Sequence, residues 1–256
     1  MSRAPSGTAL VTGATAGIGL AFAQQLAARG HDLVLVARDA ARLESVAASL
    51  RATHGVEVDV LVADLTDRDE LATVEARLAA AAPVELLVNN AGFGLKGRFL
   101  DNSADAETAM LEVLVTATLR LTHAALGPMV ERGSGGVINV SSTAAFLPRG
   151  TYGAAKAWVN SFTEWAAREY APRGVRLMAL CPGFVKTEFH ERMDVERGSA
   201  PDFMWLETDR LVADALSDYD RGRIISIPSA QYKVIAGAAR VIPNGLLQRL
   251  QSLGRK

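Results

Sequence analysis

The sequence predicts a doubly wound α/β fold: a mostly seven-stranded parallel sheet in a three-layer α/β/α arrangement. Three observations predict it. Short, β-rich apolar runs alternate with longer helix-compatible runs along most of the 256 residues, the pattern of repeated right-handed strand–helix–strand crossovers. Several of the short runs are almost wholly apolar, as strands are when helices cover both faces of the sheet. A glycine-rich turn joins the first strand to the first helix, at the carboxyl end of a strand, where open α/β sheets bind ligands.

The first strand is read at residues 8–12, followed by the glycine turn and a helix at 18–29. No charge occurs from Ala4 to Ala28, a length that could span a membrane. Pro5, Gly7, Gly13, Gly17 and Gly19 punctuate that stretch, and Thr8, Thr12, Thr15, Gln24 and Gln25 interrupt it, so a buried strand, turn and helix are expected instead. A strand at 32–37 leads to a helix at 40–53, with Asp39 placed to cap its free backbone N–H groups. Next come a strand at 57–63 and a helix at 67–80, then a strand at 84–89 and a long helix at 104–131 that Ser103 can cap. Strands at 136–141 and 175–180 flank a helix at 151–170, and a helix at 207–218 precedes the last strand at 223–227. Residues 186–206 carry no clear pattern and leave the end of the sixth strand, a position suited to a substrate lid. With no repeat, low-complexity tract or linker, residues 1–256 are read as one domain ending in a basic helical tail at about 229–256.

Charged residues make up 21% and hydrophobic ones 49% of the chain, a globular rather than a disordered balance. A net charge of −1 gives no global pull on nucleic acid, and no such partner is expected. Cys181 is the only cysteine, which excludes a disulfide within the chain and fits a reducing, cytoplasmic setting. The first residues, Met1-Ser2-Arg3-Ala4-Pro5, lack the apolar run of a signal peptide. His31, His54, His123 and His190 are scattered without metal-ligand spacing, so no metal is expected.

In the turn Gly13-Ala14-Thr15-Ala16-Gly17-Ile18-Gly19, glycines let the backbone approach a pyrophosphate, and the helix N-terminus offers N–H donors and a positive dipole end. Gly13, Thr15, Ala16, Gly17, Ile18 and Gly19 are therefore candidate cofactor contacts, although a turn that only packs helix on strand would have similar glycines. The second strand ends Val36-Ala37-Arg38. An acid there would hold the ribose hydroxyls of NAD, whereas a guanidinium can grip a 2′-phosphate in a bidentate way. This favours NADP(H) over NAD(H); the alternative is a solvated Arg38 blunted by Asp39.

Four features, in order and spacing, resemble the classical short-chain dehydrogenases/reductases: Thr12-Gly13-x-x-x-Gly17-Ile18-Gly19, Asn89-Asn90-Ala91-Gly92, Tyr152-x-x-x-Lys156 and Cys181-Pro182-Gly183. The resemblance runs from about residue 8 to 227 and implies a Rossmann-type NAD(P)-dependent oxidoreductase. It implies that Asp64 accepts from the adenine amine with Leu65 beside the base, and that Asn90, Ala91 and Gly92 line the cofactor. It also implies that Pro182, Gly183, Val185 and Thr187 surround the nicotinamide and pyrophosphate, and that a homodimer or homotetramer forms through the two long helices. Asp64 also sits where it could simply cap the approach to the next helix.

Tyr152 and Lys156, four apart, share one helix face. The ammonium is expected to lower the tyrosine pKa and make Tyr152 a general acid for reduction and base for oxidation. The resemblance adds that Lys156 holds the nicotinamide ribose. Ser142, at the end of the fifth strand, can donate to the substrate oxygen as charge develops there. Ser141 would point to the opposite face. Outside this context, Tyr152 and Lys156 would read as a surface pair.

Two features depart from the family. Leu114 stands where the family has an asparagine in its proton relay, and the Ser142–Tyr152 loop is about three residues tighter than expected. The first motivates the alternative of an NADP(H)-binding sensor without turnover. Phe189, Phe203, Met204, Trp205 and Leu206 suggest a hydrophobic ketone, aldehyde or alcohol substrate, or else pack the lid on the core. The tail, basic and free of acids from Arg221 to Lys256, is read as docking on the body or on a partner subunit in preference to touching a membrane surface or forming part of the pocket wall.

Overall fold

The computed structural model describes residues 7–147, 150–185 and 204–241. Seven parallel strands form one sheet in the order β3-β2-β1-β4-β5-β6-β7. They are β1 (Thr8–Thr12), β2 (Asp32–Ala37), β3 (Val58–Val62), β4 (Val84–Asn89), β5 (Gly135–Val140), β6 (Val175–Leu180) and β7 (Ile225–Ser226). The helices are α1 (Gly17–Ala28), α2 (Ala40–His54), α3 (Arg68–Ala79), α4 (Ala104–Leu111), α5 (Thr118–Arg132), α6 (Gly150–Tyr170), α7 (Thr208–Asp220) and α8 (Ala230–Val241). The expected fold class is observed, and element bounds differ from expectation mainly at their ends.

Two apolar layers explain the near-continuous apolar strands. One face of the sheet buries Phe22, Leu26, Leu43, Val212 and Leu216 from α1, α2 and α7. The other buries Leu71, Val74, Leu121, Met129 and Ala166 from α3, α5 and α6. Asp39 and Ser103 cap α2 and α4 as expected, accepting from the Arg42 and Ala106 amides.

The expected single helix at 104–131 is a composite. Between α4 and α5 lies a π-helical segment, Glu112–Ala117, and Leu114 sits within it. The whole stretch Ala104–Arg132 is long and apolar enough to cross a membrane, but about half of its apolar window is buried inside the protein. That burial is the mark of a core helix. Strand order reverses between β1 and β4, opening a crevice at their carboxyl ends.

Candidate active site

The crevice is built from strand ends. The Thr12 hydroxyl donates to the Val88 carbonyl and accepts the amides of Asn90 and Ala91, tying β1 to β4. The Asn90 side-chain amide donates to the carbonyls of Thr12 and Gly13, at 2.9 and 3.2 Å. Gly13 and Gly17 have φ of +67° and +53°, and a Cβ built at Gly19 would collide with the Gly13 carbonyl oxygen and Asn90. Only glycine permits this close passage.

The residue before α1, Ala16, offers no side-chain cap, and the first turn carries no acid. Its N–H groups and positive dipole end therefore face the crevice uncompensated by any carboxylate of that turn. This cradle fits a dinucleotide pyrophosphate in backbone shape and in charge.

At the carboxyl ends of β2 and β3, Arg38 stands 3.5 Å from Asp64. Partial burial disfavours ionised Asp64, but hydrogen bonds from the Thr66 amide and hydroxyl and the Arg38 charge outweigh it and hold the carboxyl below its usual value. One Asp64 oxygen shapes the turn before α3, as the capping reading expects, and the other lies near the Arg38 guanidinium. Leu65 is buried beside it. Arg42, which the sequence reading passed over, reaches the glycine turn, where its guanidinium donates to the Thr15 carbonyl at 3.5 Å. Its place in the first turn of α2, just beyond Arg38, was the available signal.

The chemistry-bearing groups converge past β5. Ser142 caps a 3₁₀ turn, Thr143–Phe146, by accepting the Ala144 amide, and its hydroxyl shares a hydrogen bond with the Tyr152 phenol. Ser141 points the other way, donating to the Lys156 carbonyl at 3.0 Å. Lys156 is 5% exposed, and its ammonium donates to the Val140 carbonyl at 2.7 Å while lying 5.7 Å from the centroid of the Tyr152 ring.

The expected lowering of the Tyr152 pKa is not found. Burial pushes it up to about 12, opposed only in part by the Ser142 bond, and burial drives Lys156 down to about 8. The physical reason is direction: the ammonium is drawn to the Val140 carbonyl and lies against the ring, away from a pairing with the phenol oxygen.

Leu114 is 1% exposed and packs with Met110, Ala155 and Tyr152. A Cβ on Gly92 would stand 2.7 Å from the Leu114 side chain. The Leu114 carbonyl accepts from the Thr118 hydroxyl at 3.0 Å. Leu114 is thus an apolar plug whose carbonyl already has a side-chain donor.

Past β6, Pro182 and Val185 are buried and Gly183 is partly exposed. Thr187, Phe189, His190 and Phe203 lie outside the described residues, as do the greater part of the expected lid and residues 242–256 of the tail. Met204, Trp205 and Leu206 are described and partly buried. Among the described residues, no group of three or more metal-ligating side chains occurs.

Residues 7–197 match the family model described as short chain dehydrogenase. An uncharacterized oxidoreductase of Staphylococcus saprophyticus is 35% identical over 183 residues, covering 70% of this chain and 78% of that protein. A short-chain dehydrogenase from Sphingobium yanoikuyae, solved in complex with NADPH, superposes with a TM-score of 0.85 at 37% identity, over 94% of this chain and 95% of that one. The bulky-bulky ketone specific alcohol dehydrogenase from Comamonas testosteroni superposes at 0.81 with 33% identity, over 96% and 95% of the two chains.

Proposed function

This chain belongs to the short-chain dehydrogenase family and is an NAD(P)-dependent oxidoreductase of alcohol and carbonyl groups; from that premise we propose that it reduces hydrophobic ketones or aldehydes with NADPH. The observation that carries the reading is the Ser142–Tyr152 hydroxyl pair beside the crevice, with the Lys156 ammonium buried against the same tyrosine.

Bound NADPH supplies the hydride. The protein's part is to hold and move a proton. Ser142 presents a hydroxyl to the substrate oxygen, where negative charge develops. Tyr152, kept neutral by burial, is the acid that delivers its phenolic proton to that oxygen. Lys156 holds the nicotinamide ribose with its ammonium, steadied by Val140.

NADPH is preferred over NADH because Arg38 follows β2 in place of an acid and Arg42 adds a second guanidinium beside the glycine turn. The NADPH in the Sphingobium structure supports this choice. Gly13, Thr15, Ala16, Gly17, Ile18 and Gly19 take the pyrophosphate side, and Asp64, Leu65, Asn90, Ala91 and Gly92 the adenosine side. Pro182, Gly183, Val185 and Thr187 take the nicotinamide side. A hydrophobic substrate is supported by the apolar wall of Phe184, Trp205 and Leu206, and by the bulky ketones named for the Comamonas enzyme.

The same reading takes the whole chain as one domain. It assigns a cytoplasmic homodimer or homotetramer, joined through the Ala104–Arg132 and Gly150–Tyr170 helices. The ladder of Trp158, Phe162 and Trp165 on α6, with Trp165 53% exposed, supports that surface. The test is NADPH consumption against a panel of aliphatic, aromatic and steroid-like ketones and aldehydes. Equal or faster turnover of small polyols or sugars would sink the hydrophobic assignment.

A further inference from the structure

Both stems of the segment after β6 meet on one tyrosine of α8. Tyr232 is 3% exposed. Its hydroxyl accepts the Phe184 amide at 3.0 Å and donates to the Met204 carbonyl at 2.9 Å. Its ring lies so close over Gly183 that a Cβ there would overlap three ring carbons. The stems also bind each other: the Leu206 amide donates to the Phe184 carbonyl at 2.9 Å, Val185 and Leu206 form a parallel bridge, and the Phe184 and Trp205 rings lie 5.4 Å apart. The helix that carries Tyr232 packs on the 3₁₀ turn capped by Ser142.

We propose that Tyr232 is a positioning residue: a latch that sets the Gly183-Phe184-Val185 backbone for the nicotinamide end of the cofactor. The proposal rests on the oxidoreductase reading above. Two backbone groups, one on each stem, are bonded by one rigid side chain, which ties them together in space. Gly183 and Val185 flank the latched amide, so its loss frees the backbone on which the nicotinamide lies. A displacement of about 1 Å at a reacting centre can cost about a hundredfold in rate. The adenosine half of the crevice, built from the ends of β1 to β4, is not among the Tyr232 contacts with Gly183, Phe184 and Met204 and is expected to be unaffected by the latch.

The experiment is Tyr232→Phe, which keeps the ring over Gly183 and removes both hydrogen bonds. Binding of NADPH is compared with binding of adenosine 2′,5′-bisphosphate, which has the adenosine end but no nicotinamide. Losing the hydroxyl weakens NADPH about fivefold or more, as loss of a hydrogen bond to a held group does, and leaves the bisphosphate unchanged. It also lowers kcat for a ketone by about tenfold or more while KM moves less. Equal weakening of both ligands, or no change in either, overturns the proposal.

Hydrogen exchange gives a reading without any variant. The Phe184 amide is protected in the ligand-free wild type, and free exchange there overturns the latch. If the wild type binds NADPH but turns over no carbonyl compound, the reductase reading fails, while the latch stands or falls on the binding ratio. A wild type that binds neither NADPH nor the bisphosphate removes both.

Discussion

The Lys156 ammonium donates to the Val140 carbonyl at 2.7 Å, and this bond joins the buried lysine of α6 to the last residue of β5. It gives the buried lysine a fixed position. It also sets the pH behaviour. Burial brings Lys156 down to about 8 and holds Tyr152 up at about 12. Tyr152 therefore stays protonated across neutral pH, while Lys156 loses its charge as pH rises through about 8. Ketone reduction, measured as kcat/KM, is expected to be level from pH 6 to about 8 and then to fall about tenfold per unit, as for loss of one essential proton. A profile level to pH 9.5 would show that the charge on Lys156 is not required.

Arg38 holds its exposed position partly through Asp64, at 3.5 Å. A charge-assisted bond to a phosphate is stronger than this surface pair. Arg38→Ala is expected to weaken NADPH binding by about 10- to 100-fold, the range for a lost charged hydrogen bond, and to leave NADH nearly unchanged. Titration of both dinucleotides checks it; equal losses would move the 2′-phosphate contact elsewhere.

Gly19 passes against the Gly13 carbonyl, which is backbone and cannot swing away. Gly19→Ala forces the turn apart at a cost of about 1–3 kcal/mol for overpacking. The expected result is a thermal midpoint lower by about 2–12 °C and loss of dinucleotide binding. A variant that binds NADPH normally would contradict the cradle.

Trp165 on α6 and Leu119 on α5 are 53% and 42% exposed. Trp165→Glu, on a face assigned to subunit contact, should yield a smaller species in light scattering without loss of helical content. An unchanged mass would move the interface off this face.

The sequence alone carried the fold class because its strands are two-sided and apolar, and residues such as Val34, Leu35 and Val88 admit no other setting. The glycine turn and the Tyr152/Lys156 spacing were legible because each is short-range: one chain segment contains the whole geometry. The departures came from long-range contacts. Lys156 meets the Val140 carbonyl rather than the phenol because backbone from another element lies within its reach. The π-helical segment at Glu112–Ala117 breaks a pattern that periodicity reads as one helix. Tyr232 was not singled out in the tail because its partners at Gly183, Phe184 and Met204 are far away in sequence.

The central claim is that Tyr152 delivers the proton to the substrate. NADPH consumption with a hydrophobic ketone, run on wild type and Tyr152→Phe with NADPH binding followed in parallel, tests it most directly. Loss of the proton donor is expected to lower kcat/KM by about 10²–10⁴-fold while NADPH still binds. Turnover by Tyr152→Phe at the wild-type rate would contradict the claim. Binding without turnover in both proteins would contradict it too, and would favour a dinucleotide sensor with Leu114 as its signature.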